Sequence, residues 1–266
     1  MMEWRDAAVL LVGHGSSRLT TSRQVTDRLA EALRSRQLFA EVAACFWKEP
    51  PFVSLDLVRA STVFIVPNFA GDGLFTRRLI PERLGLTGTL TERDNRRLLY
   101  ARPVGCHPRL PALLLERART LCADQGLAPA ETGLLLVGHG SRQPGTVSAT
   151  PEAAALELAA AGLFAAVKTA YLEQDPPAAQ WQSLLPTTNI VVAPWLISEG
   201  MHASQDLPAL FGASAPTGGP IPIHGRRVWL MGGIGRETEV VDMILDQIRQ
   251  AEAIACPTFH CQERRF

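Results

Sequence analysis

Val9-Leu-Leu-Val-Gly-His-Gly-Ser-Ser-Arg18 returns as Leu134-Leu-Leu-Val-Gly-His-Gly-Ser-Arg-Gln143, which sets His14 and His139 125 positions apart in a chain of 266 residues. An unbroken apolar run that stops at Gly-His-Gly reads as a strand buried on both faces, the kind found in parallel sheets. Such a strand delivers one imidazole to the carboxyl edge of the sheet, where glycines let backbone and ligand approach closely. The chain is written twice: a first copy over residues 1–128, a second over 129–255, and a tail, 256–266, without periodicity.

Working outward from these runs, residues 7–12, 41–46, 62–67 and 98–104 predict the strands of the first copy, and 18–35, 52–59, 77–84 and 110–122 its helices. The second copy repeats the order, with strands at 134–137, 165–171, 190–194 and 228–231 and helices at 149–161, 178–185, 203–211 and 237–252. Strands that alternate with helices predict an α/β fold of two similar halves. Each half is a mainly four-stranded parallel sheet with helices on both faces, and a cleft is expected between the halves. Residues 123–132 form the natural join, and 212–225, rich in Gly and Pro, predict a surface loop before the last strand.

The 26 basic and 26 acidic side chains cancel. No global basic field exists to hold nucleic acid, and no basic amphipathic stretch marks a membrane-surface helix. No apolar stretch approaches the roughly 20 residues a membrane span requires, and the first residues lack the pattern of a secretory signal. A soluble, cytoplasmic protein is expected, as monomer or homodimer. Five cysteines, an odd number, suit reduced thiols rather than a disulfide framework. Cys256 and Cys261 do not complete a four-cysteine cluster site.

The copies diverge where chemistry is expected. After the second strand Glu173 stands where the first copy has Lys48, at a shift of 125. After the third strand, at a shift of 127, Glu199 stands against Asp72 and His202 against Phe75. The second copy thus offers His139, Glu173, Glu199 and His202, and the first offers His14, Lys48, Asp72 and Phe75. Imidazole nitrogens suit first-row divalent cations and a carboxylate compensates charge, whereas an ammonium repels a cation and a phenyl ring supplies no lone pair. Only the second copy is expected to hold a metal.

Gly-His-Gly-Ser-Arg after the first strand, Leu172-Glu173 after the second, and Glu199-Gly200-x-His202-x-x-x-Asp206-x-Pro208 after the third resemble the class II chelatases of the sirohydrochlorin cobaltochelatase and ferrochelatase type. The resemblance runs from about residue 7 to residue 250, as in the internally duplicated members, and includes Gly105-Cys-His-Pro-Arg109. It implies insertion of Co²⁺ or Fe²⁺, with Ni²⁺ or Zn²⁺ as further cations of the same chemistry, into the tetrapyrrole sirohydrochlorin on the way to cobalamin or sirohaem. The metal is a substrate, and no organic cofactor is expected. Carried over by position, the metal ligands are His139, His202 and Glu173.

Metallation exchanges two pyrrole protons for one dication, so the site must deliver the cation and accept protons. Glu173 is expected to neutralise charge and take a proton, with Glu199 as a second base or as an outer partner that orients an imidazole. Substrate carboxylates are assigned to Ser141 and Arg142 beside the second Gly-His-Gly, and to His14 and Arg18 beside the first. Arg77, Arg78 and Arg109 stand behind them, because the guanidinium fork suits carboxylates. A carrier that binds tetrapyrrole or metal without turnover is the alternative reading. Hydrolase or phosphatase chemistry is disfavoured because the chain has no Gly-x-Ser-x-Gly elbow, phosphate loop or Arg-His-Gly. For His107 and His224, and for Trp47 and Trp195, loop or core roles are expected.

Overall fold

The computed structural model describes residues 4–17, 23–140, 149–197, 205–234 and 239–255. Two five-stranded sheets of the same design are present. In the first, β1 (Trp4–Gly13), β2 (Phe39–Phe46), β3 (Thr62–Pro67), β4 (Leu90–Arg93) and β5 (Arg96–Tyr100) lie in the order β2-β1-β3-β5-β4. In the second, β6 (Thr132–Gly138), β7 (Ala166–Tyr171), β8 (Asn189–Pro194), β9 (Gly218–Ile223) and β10 (Arg226–Leu230) lie in the order β7-β6-β8-β10-β9. Four strands of each sheet are parallel, as expected, and the fifth is an antiparallel edge.

The central strands are continuously apolar because both their faces are covered. Every residue of β6, and β1 from Ala7 to Gly13, is buried. From each central strand the chain goes to a neighbour on one side and then crosses to the other. This places a topological switch point at the carboxyl ends of β1 and β3, and of β6 and β8, the position at which open α/β sheets bind ligands.

The edge strands β4 and β9 are absent from the sequence expectation. Leu90–Arg93 is short and charged, and Gly218–Ile223 carries two prolines, which a strand tolerates at an edge. Each is joined to its antiparallel partner, β5 or β10, by a two-residue turn with both residues at positive φ: Asp94 and Asn95 (49° and 57°), and His224 and Gly225 (49° and 76°). The expected loop at 212–225 therefore contains a strand, and His224 is an exposed turn residue. The expected helix at 52–59 is only a 3₁₀ turn, Leu55–Leu57, capped where the Asp56 N–H donates to the Ser54 hydroxyl.

The helices are α1 (Gln24–Ser35), α2 (Ile80–Leu84, entered through a π-turn at Phe75–Leu79), α3 (Leu110–Asp124), α4 (Ala149–Ala160), α5 (Trp181–Leu184), α6 (Leu207–Leu210) and α7 (Glu239–Ala255). α1 buries Val25, Leu29 and Leu33 at i, i+4 and i+8, a stripe that faces the sheet. Among the described residues no helix is long and apolar enough to cross a membrane.

The compact units do not coincide with the copies in sequence. One unit runs to His107 and includes α7, and the other starts at Pro108 and includes α3. In the first unit α7 covers β3 and β5 with Val240, Ile244 and Ile248 fully buried, and Gln247 Nε2 donates to the Pro103 carbonyl at 3.2 Å. The Trp4 indole N–H also reaches Glu252, at 3.1 Å. In the second unit α3 packs on α4 and β8, and Arg117 donates to the Gly232 carbonyl at 3.0 Å.

Each unit is thus completed by a helix from beyond its own copy in sequence. A fragment of residues 1–128 lacks α7 and leaves β3 and β5 uncovered, so it is expected to show no cooperative unfolding transition in urea. A cooperative transition in that fragment contradicts this assignment of α7. In the full chain, Ile244→Ala is expected to cost about 2–5 kcal/mol, read from the shift in urea midpoint.

Candidate metal centre

Gly138 and Tyr171 are register partners at the ends of β6 and β7. The parallel pairing continues past them: the Leu172 N–H donates to the Gly138 carbonyl at 3.1 Å, and the Glu173 N–H donates to the His139 carbonyl at 2.9 Å. A backbone hydrogen bond therefore places two of the sequence-predicted ligands side by side at the carboxyl edge of the sheet. On the other flank the Trp195 N–H donates to the Val137 carbonyl at 2.8 Å, and the chain leaves β8 toward residue 198.

The same frame stands in the first unit. The Trp47 N–H donates to Gly13 at 3.1 Å, the Lys48 N–H to His14 at 3.0 Å, and the Asn68 N–H to Val12 at 2.7 Å. Lys48 is the positional counterpart of Glu173, and the shifts of 125 and 127 read from the sequence hold as hydrogen bonds.

Both histidines are half-buried and use the same local contact. His139 Nδ1 lies 3.0 Å from the Gly140 carbonyl, and His14 Nδ1 lies 3.0 Å from the Gly15 carbonyl. A carbonyl oxygen can only accept, so Nδ1 acts as the donor in this contact, and in a neutral imidazole that leaves the lone pair on Nε2, the nitrogen a cation would use. Each contact depends on a left-handed glycine, with φ of +66° at Gly15 and +77° at Gly140. A Cβ on Gly140 would stand 2.6 Å from Gln174 Cβ, and one on Gly15 would stand 2.9 Å from both Glu49 and Phe46.

Around the two imidazoles the units differ. The Phe75 ring packs edge-on against His14, with centroids 4.9 Å apart, and it belongs to an aromatic cluster with Phe69 (5.8 Å) and Trp47 (5.7 Å). A phenyl ring therefore fills the position that corresponds to His202. Asp72, the counterpart of Glu199, accepts from the Thr76 hydroxyl at 2.9 Å and from Arg77 Nε at 2.8 Å, and so ties down the start of the π-turn. Lys48 is exposed.

In the second unit His139 and Glu173, both half-buried, are described. His202, Glu199, Ser141 and Arg142 lie outside the described residues, as does Arg18 of the first unit. Among the described residues no group of three His, Cys, Asp or Glu side chains is close enough to hold a cation. Of the remaining arginines, Arg77 faces Asp72 and Arg78 faces Glu82, both as exposed pairs, and Arg109 is exposed. Trp195 is buried, and His107 is buried with Nε2 3.7 Å from Asp246. Cys45 is a buried free thiol, and burial pushes its pKa up to about 12, away from metal-binding or nucleophilic chemistry.

One feature near the site is missing from the sequence expectation. The Tyr171 hydroxyl donates to Glu152 Oε1, so the end of β7 is joined to the first turn of α4. Burial, reinforced by the Glu152 carboxylate, pushes the Tyr171 phenol well above its ordinary range. The overlay of the copies carries the signal, because positions 171 and 152 fall on Phe46 and Asp27 at the shift of 125.

The family model described as CbiX matches residues 8–121 and 133–251, once per copy. A probable sirohydrochlorin cobaltochelatase of Halobacterium salinarum is 28% identical over 269 residues, with 92% of each chain covered. Among solved structures, the CbiX described as the terminal enzyme for biosynthesis of siroheme in denitrifying bacteria superposes with a TM-score of 0.69 at 25% identity, covering 93% of this chain and 99% of that one. DR2241 from Deinococcus radiodurans, a multi-domain protein with structural similarity to chelatases, superposes with a TM-score of 0.72 at 28% identity over 91% of this chain. This chain spans 54% of that larger protein.

Gly140→Ala is expected to lower the urea midpoint by more than Gly162→Ala. Both positions have positive φ, which costs an alanine about 1–2 kcal/mol, but space is open at Gly162 and blocked by Gln174 at Gly140. Equal losses would show that the His139 turn does not require the missing side chain.

Proposed function

The chain belongs to the CbiX family of chelatases, and from that premise we propose that it inserts Co²⁺ or Fe²⁺ into sirohydrochlorin, with the cation held by His139, His202 and Glu173 of the second copy. The observation that carries the choice of copy is the contact of Phe75 with His14 at 4.9 Å. In the first copy the imidazole is packed against carbon where a second nitrogen ligand is needed, and an ammonium occupies the place of the carboxylate. In the second copy the chain brings a histidine and a glutamate to that frame. The Halobacterium relative is named for cobalt and the denitrifier CbiX for siroheme, whose metal is iron, so both cations are retained.

The reaction exchanges two pyrrole N–H protons for one dication. His139, with its proton on Nδ1, offers Nε2 to the incoming metal. Glu173 compensates the charge of the cation and is placed to take a pyrrole proton as the metal–nitrogen bonds form. Glu199 serves as a second acceptor or orients an imidazole. Ser141 and Arg142, which follow Gly138-His139-Gly140 in sequence, meet substrate carboxylates, and bidentate pairing makes arginine the suitable cation there. His14 and Arg18 are assigned to substrate carboxylates, and His14 does not hold the metal. We place this activity in the cytoplasm, with the tetrapyrrole and the cation as partners and no role for nucleic acid or membrane.

The test is turnover of sirohydrochlorin, followed by its visible spectrum, with Co²⁺ and Fe²⁺ supplied separately. Multiple turnovers above the spontaneous rate are expected, and stoichiometric binding without turnover would make the protein a carrier. His139→Ala and Glu173→Gln are expected to lower kcat by at least about 100-fold, as loss of groups acting on the reacting atoms does. His14→Ala is expected to leave kcat within a few-fold of wild type and to act on KM. Loss of kcat in His14→Ala alone would place the site in the first copy.

A further inference from the structure

Three pieces of chain converge on Gly138, the residue before His139. A Cβ there would stand 3.0 Å from the Tyr171 ring and 3.4 Å from Pro151 in the first turn of α4, so ring and helix both rest directly on the glycine. Tyr171 is 1% exposed, and its hydroxyl donates to Glu152 Oε1, the residue after Pro151. The other oxygen of this carboxylate, Oε2, is buried and has no hydrogen-bond partner among the described residues. One side-chain hydrogen bond thereby joins β7, two residues before Glu173, to α4 across the backbone that presents His139.

The first unit has the same frame without this bond. Phe46 occupies the place of Tyr171 and has no hydroxyl to donate. The acid at the place of Glu152 is Asp27, which pairs with Arg23 Nε at 2.6 Å, and the Arg23 guanidinium lies 4.7 Å from the centre of the Phe46 ring. The counterpart of Arg23 in the second copy is Ser148 in sequence, which supplies no cation. The fold therefore stands without the hydroxyl, and the tyrosine–carboxylate bond occurs in the copy that retains the metal-ligand set.

We propose that the Tyr171–Glu152 hydrogen bond is a clamp that sets the separation of His139 and Glu173, with Tyr171 and Glu152 acting as positioning residues for metal capture. The proposal rests on the reading of His139 and Glu173 as ligands. Partners of this kind behind metal ligands change affinity or activity by roughly 10- to 100-fold when removed.

The experiment uses the full chain, freed of metal, and titrates Co²⁺ by its visible absorption, together with steady-state turnover of sirohydrochlorin. Tyr171→Phe, which installs the first unit's own residue, and Glu152→Ala are expected to weaken Co²⁺ binding and to lower kcat by about tenfold. KM for sirohydrochlorin and the far-ultraviolet circular dichroism are expected to stay unchanged. Glu152→Gln, whose amide oxygen still accepts from the Tyr171 hydroxyl, is expected to restore wild-type binding. Wild-type Co²⁺ affinity in Tyr171→Phe and Glu152→Ala, with affinity lost in His139→Ala, overturns the clamp and leaves the metal site standing. A Glu152→Gln variant as impaired as Glu152→Ala also overturns it, since the acid itself would then be required. Undiminished Co²⁺ binding in His139→Ala overturns the ligand reading beneath it.

Discussion

The hydrogen bond from the Glu173 N–H to the His139 carbonyl, 2.9 Å long, is the constraint on which the candidate site depends. It extends the parallel register of β6 and β7 beyond the last strand residues, into backbone that would otherwise be two independent loops. Because β6 is buried on both faces from Thr132 to Gly138, burial alone does not fix this register; the unbroken pairing from Gly133–Ala166 to Gly138–Tyr171 carries it to the sheet edge. The strand pairing therefore determines which side chain stands beside His139. Left-handed Gly140 then turns the chain back so that its own carbonyl receives the imidazole Nδ1 proton.

The first unit holds the same frame with different side chains around it. Its backbone hydrogen bonds, its glycine at positive φ and its Nδ1 contact are the same, yet the imidazole faces Phe75 and the neighbouring position is Lys48. Two copies of one scaffold are present, and side chains at a few loop positions distinguish the His139–Glu173 frame from an aromatic cluster. Asp72 illustrates the change: as counterpart of Glu199 it is held by Thr76 and Arg77 as a cap on the π-turn. Exchange of α3 and α7 makes each unit depend on helix supplied from beyond its own copy in sequence.

The parallel core is legible in the sequence because strands buried on both faces leave unbroken apolar runs, as in Val9–Val12 and Leu134–Val137. The edge strands are not, because one solvent-facing side and antiparallel pairing remove that signal. Leu90–Arg93 reads as charged loop and Gly218–Ile223 as Pro-rich loop, and only the Asp94-Asn95 and His224-Gly225 turns betray the hairpins. Equivalence of His139 with His14 and of Glu173 with Lys48 is legible, since fixed offsets become fixed hydrogen bonds. Partner choice by side chains distant in sequence, such as Tyr171 with Glu152 or α7 with β3 and β5, leaves no local pattern and emerges only from packing.

A crystal of the protein loaded with Co²⁺, measured at the cobalt absorption edge, reads the position of the cation without reference to turnover. A single anomalous peak within coordination distance of His139 Nε2, with Glu173 and His202 beside it and no peak at His14, is the predicted result. A peak on His14 beneath Phe75 would contradict the assignment of the metal to the second copy.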